Sequence, residues 1–371
     1  MIGRIPPLYW ACATVACFLI LSLAVFKSLS ADQRARIYIS AADDDDGILL
    51  APAQNKESIS SSKPILTSTS IIPTTTTIQQ IDGYDREAEE AEEAENRPLI
   101  LYAYHETPNA RQNAEFFLAH GLHAEADFIF ILNGNTTLAS SIPTDNHKNI
   151  KVIQRENTCF DLGAHAEVLS RNGGELIKSY KRFILMNASI RGPFLPTWSQ
   201  ECWSDALLAK ITDTNKLVGM SFNCQPKHHI QSMIFGTDRT GLLLFLPQIQ
   251  TCFQTLDSAV GGETSCTSAV MDRGFNVTAL MTAFSADKDY ANTCDHGDLL
   301  YDGHYYGITI HPYETMFQKA NRDLAPLQLE KLTEWHSKAG YESWGVCKRA
   351  RNVRRAVREM RARGVDLDFG I

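Results

Sequence analysis

Two polar loops of this chain carry side chains that can do chemistry. The first, Arg155-Glu156-Asn157-Thr158-Cys159-Phe160-Asp161-Leu162-Gly163-Ala164, leaves an apolar run and opens a helical pattern. A carboxylate at Asp161 suits hydrogen bonding to a ribose or a base, and a helix N-terminus favours phosphate. The plainer role for Asp161 is a helix cap. The second loop is Asn187-Ala188-Ser189-Ile190-Arg191-Gly192-Pro193. Asn187 and Ser189 offer neutral oxygens to a substrate, and Arg191 offers a planar guanidinium to phosphate. The alternative is a polar turn closed by Gly-Pro.

The elements that must position these loops follow from hydrophobic periodicity. Residues 99–104, 127–132, 150–153 and 182–187 are short apolar runs that read as buried strands. Residues 109–120 have helical spacing and stop at Gly121. Residues 161–179 read as one helix with Ala164, Val168, Leu169, Leu176 and Ile177 on its apolar face. Strands alternating with helices predict an α/β domain with a mostly parallel sheet. Ligands in such sheets bind outside the carboxyl ends of the strands. That selects Asn133 and the loops 157–161 and 187–191.

Composition bounds the classes. The 371 residues are 44% hydrophobic and 21% charged, which excludes a wholly disordered chain, a collagen-like fibre and a multi-span membrane protein. The net charge of −8 is unevenly spread: residues 41–97 hold thirteen acids against four bases. Residues 8–26 carry no charge, and nineteen residues span roughly 28 Å as a helix, close to a bilayer's hydrocarbon core. The expected organisation is a cytosolic tail (1–7), a transmembrane signal anchor (8–26) and a disordered stem (27–97). A globular domain (98–347) and a basic C-terminal helix or tail (348–371) follow. A cleaved signal peptide is the rival for the apolar run. Three glycosylation triplets begin at Asn135, Asn187 and Asn276, and seven cysteines lie beyond the anchor, enough for three disulfides and one thiol. Both point to a lumenal domain of a single-pass type II protein. P-loop, GxGxxG, HExxH, GxSxG and CxxC motifs are absent, so their chemistries lose their usual warrant.

From about residue 99 to 335 the chain resembles a family. Residues 157–164 and 180–196 resemble the N-x-G-x-D-x-G-A and Y…N-x-S-x-x-G-P pattern of rhamnan synthesis protein F, and also fungal and algal type II membrane glycosyltransferases. The resemblance takes in Tyr102-Ala103-Tyr104-His105-Glu106-Thr107, His229-Ile230-Gln231-Ser232-Met233, Glu263 and His311-Pro312-Tyr313-Glu314-Thr315. It implies a GT-A-like, Rossmann-like fold that moves a sugar from a nucleotide-sugar donor to a glycan or glycoprotein acceptor. With the expected anchor and lumenal domain, the expected location is a secretory-pathway membrane such as the Golgi, and no nucleic-acid partner is expected. On this reading Asn157, Asp161, Asn187, Ser189, Arg191 and His311 hold the donor, and His229 and Gln231 line the acceptor side. Glu263, expected just ahead of a helix over 265–272, is the base.

Two departures stand out. Metal-dependent GT-A enzymes carry Asp-x-Asp where this chain has Asn187-Ala188-Ser189, and neutral oxygens are poor Mg²⁺ or Mn²⁺ ligands. Metal use is therefore open. Cys159 also replaces the pattern's glycine. Without a metal, Arg191 or another cation must meet the departing diphosphate. The missing Asp-x-Asp also keeps a second reading in view, a non-catalytic carbohydrate-binding or scaffold protein on the same fold. The cluster Cys294-Asp295-His296-Gly297-Asp298 is too local to hold an ion by itself. The basic segment 348–363 suits anionic lipid, a polyanionic acceptor or, on a cytosol-facing chain, phosphoinositides. The duller alternative is a terminal helix docked through Val353, Val357 and Met360.

Overall fold

A computed structural model describes residues 96–364. The expected anchor at 8–26 and nearly all of the expected stem lie outside the described residues. Among the described residues no helix is long and apolar enough to cross a membrane.

The expected apolar runs form strands β1 (Leu99–His105), β2 (Asp127–Asn133), β3 (Ile150–Arg155) and β4 (Arg182–Asn187). The two-residue β5 (Ile190–Arg191) follows directly, and β6 (Asn215–Gly219), β7 (Phe222–Asn223), β8 (His229–Ile230), β9 (Ile234–Asp238), β10 (Asn276–Ala279) and β11 (Gln318–Lys319) come later. Seven of them make one sheet in the order β10-β6-β9-β4-β1-β2-β3. The pairings β1–β2, β2–β3, β1–β4 and β6–β10 are parallel. Only β9 runs against its neighbours, so the other six strands point the same way. Every residue of β1 except His105 is buried. An unbroken apolar run is what a strand covered on both faces requires. The chain moves outward from β1 to β2 and β3, then returns to β4 on the other side of β1. The carboxyl ends of β1 and β4 therefore flank a topological switch point, the usual place for a ligand.

The helices are set by local signals. Helix α1 (Pro108–His120) is capped by Thr107, whose hydroxyl accepts from the Ala110 N–H. Helix α2 (Asp161–Ser179) is not continuous: Arg171 to Gly174 leave helical geometry, with Asn172, Gly173 and Gly174 at positive φ. An Asn-Gly-Gly run takes that backbone at little cost, so the expected single helix is broken near its middle. Helix α3 (Trp203–Leu208) is short, and α4 (Arg239–Ile249) is capped by Asp238. Helix α5 (Leu256–Met271) starts well before the expected 265, because Thr255 and Ser258 form a reciprocal capping box. A turn-length helix α6 (Pro312–Thr315) precedes β11, and α7 (Pro326–Ala339) and α8 (Ser343–Ala362) close the described chain. An expected boundary at residue 347 falls inside α8. Val353 and Met360 are exposed. What ties α8 down instead is Arg351 on Glu125, Arg354 on Asp205, and a Cys202–Cys347 disulfide.

Among the described residues three disulfides form, Cys159–Cys252, Cys202–Cys347 and Cys224–Cys294, and Cys266 is left as a buried thiol.

Candidate active site

Asn187 ends β4 and organises what surrounds it. Its N–H donates to Met233 O at 3.1 Å. Its Oδ1 accepts the Ser189 N–H at 3.0 Å and the Ser189 hydroxyl at 2.5 Å, a side-chain-closed turn. Its Nδ2 donates to Asp161 Oδ2. Asp161 is thus drawn into the site rather than used as a cap. The cap position belongs to Phe160, which offers no side-chain cap bond.

The loop ahead of Asp161 is fastened. Cys159 is crosslinked to Cys252, and the Phe160 N–H donates to Phe253 O at 3.1 Å. Gly163 packs closely beneath it, since a Cβ there would lie 3.0 Å from the Cys159 Cβ. The cysteine that replaces the pattern's glycine is therefore a clamp on the loop. Closing 93 residues of chain is worth about 4–5 kcal/mol in the entropic account of disulfides.

On the other side of Asn187, the Ser189 hydroxyl accepts from Lys319 Nζ at 2.8 Å. Lys319 is held by the antiparallel pairing of β11 with β5, and the Ala320 N–H donates to Ser189 O at 2.8 Å. Gly192 permits this approach, because a Cβ there would sit 2.6 Å from Met316 O. Burial pushes the Lys319 ammonium down to about 8, and Arg322 pushes the same way, against the pull of Asp161, Glu263 and Asp298.

Glu263 lies in the body of α5, not ahead of a helix as expected, because the capping box starts α5 two turns earlier. Its Oε1 accepts the Ser232 N–H at 2.5 Å. Ser232 adjoins Met233, the residue that holds Asn187, so one short segment connects Glu263 to the end of β4. The same segment carries Gln231, which is buried, accepts from the Ser221 hydroxyl at 2.8 Å and donates to Asp298 Oδ1 at 3.1 Å. Asp298 is paired with Arg322. Burial alone would raise the Asp298 carboxyl, but Arg322, the Leu300 N–H and Gln231 together hold it below the usual carboxylate range. The Arg322 guanidinium also lies 4.7 Å from the Tyr301 ring centre.

The structure thus gathers Asp161, Asn187, Ser189, Gln231 and Glu263, and leaves other expected residues outside the network. Arg191 is buried and turned into the protein. It donates to Asn113 Oδ1 at 2.8 Å, Gln112 Oε1 at 3.0 Å and Thr333 Oγ1 at 3.3 Å, so it is spent on joining β5 to α1 and α7. The guanidinium expected to meet phosphate is a packing residue. His229 is buried with Nδ1 2.6 Å from Lys227 O. His311 caps α6 by accepting the Tyr313 N–H at 3.1 Å, and burial lowers its pKa. Asn157 is exposed on the rim. Sequence reasoning missed Lys319 and Arg322, quoted Ser232 in a motif without a role, and noticed Asp298 only as part of a metal-like cluster. Lys319 stands four residues beyond the His311–Thr315 motif, and that proximity was its one signal.

The donor set does not fit a divalent cation. The Asn187 and Ser189 oxygens are already bonded, an ammonium sits on Ser189, and the three carboxylates face three different partners. Mg²⁺ and Mn²⁺ require several convergent oxygens. The groups that do converge among the described residues are His123 with Cys202 and Cys347, and Cys224 with Cys294 and His296. Their sulfurs are held in disulfides, which lack the thiolate a metal binds.

Residues 129–337 match the family model of rhamnan synthesis protein F, which covers more than half of the chain. No curated protein matches. Among solved structures, a mannosyltransferase, PcManGT from Pyrobaculum calidifontis in complex with GDP-Man and Mn²⁺, is similar with a TM-score of 0.34 and 11% identity. The match covers 49% of this chain and 54% of that one, about half the length of each.

Proposed function

The chain belongs to the rhamnan synthesis protein F family, and we propose that it transfers a sugar from a nucleotide-sugar donor to a glycan or glycoprotein acceptor. The observation that carries this reading is the hydrogen-bonded run Asp161–Asn187–Ser189–Lys319 at the switch point, with the Glu263 carboxylate fixed beside it. Asp161 and Asn187 accept and donate to donor hydroxyls. Glu263 keeps one carboxylate oxygen on the Ser232 N–H and presents the other to the acceptor. In the transfer, the acceptor oxygen bonds to the anomeric carbon as that carbon's bond to the diphosphate oxygen breaks. The electron pair leaves with the diphosphate, and the acceptor proton passes to Glu263. Gln231, Asp298 and Arg322, with Tyr301 against Arg322, border the acceptor side.

The compartment proposed is the lumen of a secretory-pathway membrane such as the Golgi, with residues 8–26 as a type II anchor. Three disulfides support an oxidising environment. Asn135 and Asn276 are exposed and suited to glycosylation, whereas Asn187 is engaged in the site.

The reading is tested by incubating the full-length protein with a panel of nucleotide sugars and measuring release of nucleoside diphosphate. One donor should turn over, and Asp161→Asn should slow it roughly tenfold to a hundredfold by weakening charge-assisted hydrogen bonds. Failure of every donor to bind at millimolar concentration would end the transferase reading. Endoglycosidase sensitivity lost in Asn135→Gln and Asn276→Gln supports the lumenal placement; a cytosol-accessible, unglycosylated domain contradicts it.

A further inference from the structure

Among the described residues no ion pair consumes the Lys319 ammonium beside the end of β4. Arg322 is committed to Asp298. The Lys319 ammonium has three N–H donors, and among the described residues its one hydrogen bond goes to a hydroxyl, Ser189 Oγ. Asp161, Glu263 and Asp298 act on it through space without reaching ion-pair distance. The residue is half-buried and keeps some contact with solvent. Its backbone is fixed on both sides by pairing with Ile190 and by the Ala320–Ser189 bond. It stands beside the end of β4, where the sequence lacks Asp-x-Asp and where the donor set does not fit a metal.

We propose that Lys319 takes the place of a divalent metal ion here: its ammonium binds the donor's diphosphate and meets the charge that grows on it as the sugar leaves. The proposal rests on the transferase reading above. With Asp298 neutralised by Arg322, the cleft presents two carboxylates, Asp161 and Glu263, and one ammonium. A nucleotide sugar complements that set, bringing hydroxyls to the carboxylates and a diphosphate to the ammonium. Lys319 keeps its proton throughout, and its contribution is charge and N–H donors positioned before the reaction starts.

The experiment measures binding of UDP, GDP, dTDP and inorganic pyrophosphate to the full-length protein by calorimetry, in EDTA and in Mn²⁺. At least one nucleoside diphosphate should bind the wild type equally well in both. Lys319→Ala and the longer Lys319→Gln should weaken that binding roughly tenfold to a hundredfold, the range for a charge-assisted hydrogen bond. Lys319→Arg should recover most of it. The melting temperature without ligand should hold in at least one neutral variant, which a purely structural lysine would not allow. Wild-type binding abolished by EDTA and restored by Mn²⁺ overturns the proposal. So does undiminished binding by a folded neutral variant, or unfolding of both. If no diphosphate binds the wild type in either buffer, the transferase reading itself fails and takes this proposal with it.

Discussion

The two ends of the sheet use charge in opposite ways. At the amino end a cleft of about 420 Å³ is lined by Arg97, Arg182, Arg351, Arg354 and Arg358 with Glu125 and Asp205. Its arginines are engaged: Arg97 with Asp127, Arg182 with Asn96 O, Arg351 with Glu125 and Arg354 with Asp205. These contacts tie the chain entering β1 to β2 and β4, and tie α8 to α3 and to the turn before β2. At the carboxyl end the Lys319 ammonium, among the described residues, bonds a hydroxyl and no carboxylate, and Glu263 has one carboxylate oxygen committed and one to spare. A guanidinium that is fully paired stabilises the fold, while an ammonium held short of its carboxylates keeps its charge for a ligand. Arg191 shows that position near the site is not enough, because its neutral partners have already used its donors.

The comparison is sharpened first by acid. Burial pushes His123 down to about 3, and His165 and His336 to about 4. All three are neutral when folded and take up a proton on unfolding below their ordinary value near 6.5. Stability should therefore fall as pH drops from about 6.5 toward 4, by up to roughly 1.4 kcal/mol per pH unit for each histidine. Denaturation midpoints across that range should show the slope, and a flat profile would remove these histidines from the account.

Next in size is Cys202→Ser, which opens a 145-residue loop and should cost about 5 kcal/mol of stability. Nucleotide affinity, measured where the variant is still folded, should be unchanged, since the bridge anchors α8 and touches no site residue. Arg182→Ala leaves Asn96 O without its partner and should cost about 1–3 kcal/mol with donor turnover intact. Arg354→Ala breaks a half-exposed ion pair and should move the midpoint by less than about 1 kcal/mol. A turnover defect in either arginine variant would break the division between the two ends.

Much of the carboxyl-end geometry was legible in the sequence because it follows from local pattern. Apolar runs marked β1 to β4, and the loops after them held Asp161, Asn187 and Ser189. What was not legible depends on contacts distant in sequence. Lys319 belongs to a two-residue strand that exists only through pairing with β5, 129 residues earlier along the chain at their register partners Lys319 and Ile190. Arg191 shares that ribbon and is turned inward by it. The sequence puts Glu263 after Gly261-Gly262 and just ahead of a helix over 265–272. Yet Gly262 packs inside α5, where a Cβ would meet the Phe253 ring at 2.3 Å, and the true start is the capping box at Thr255. The broken α2 had a visible cause in Asn172-Gly173-Gly174, outweighed in the sequence reading by the apolar spacing on either side.

The central claim is that Glu263 takes the acceptor proton in a sugar transfer. The most direct measurement is the turnover of the active donor by Glu263→Gln, which keeps the hydrogen bond to Ser232 and removes the base. The account predicts a loss of about 10²- to 10⁴-fold in kcat with nucleotide affinity and melting temperature close to wild type. Wild-type turnover in Glu263→Gln would contradict it.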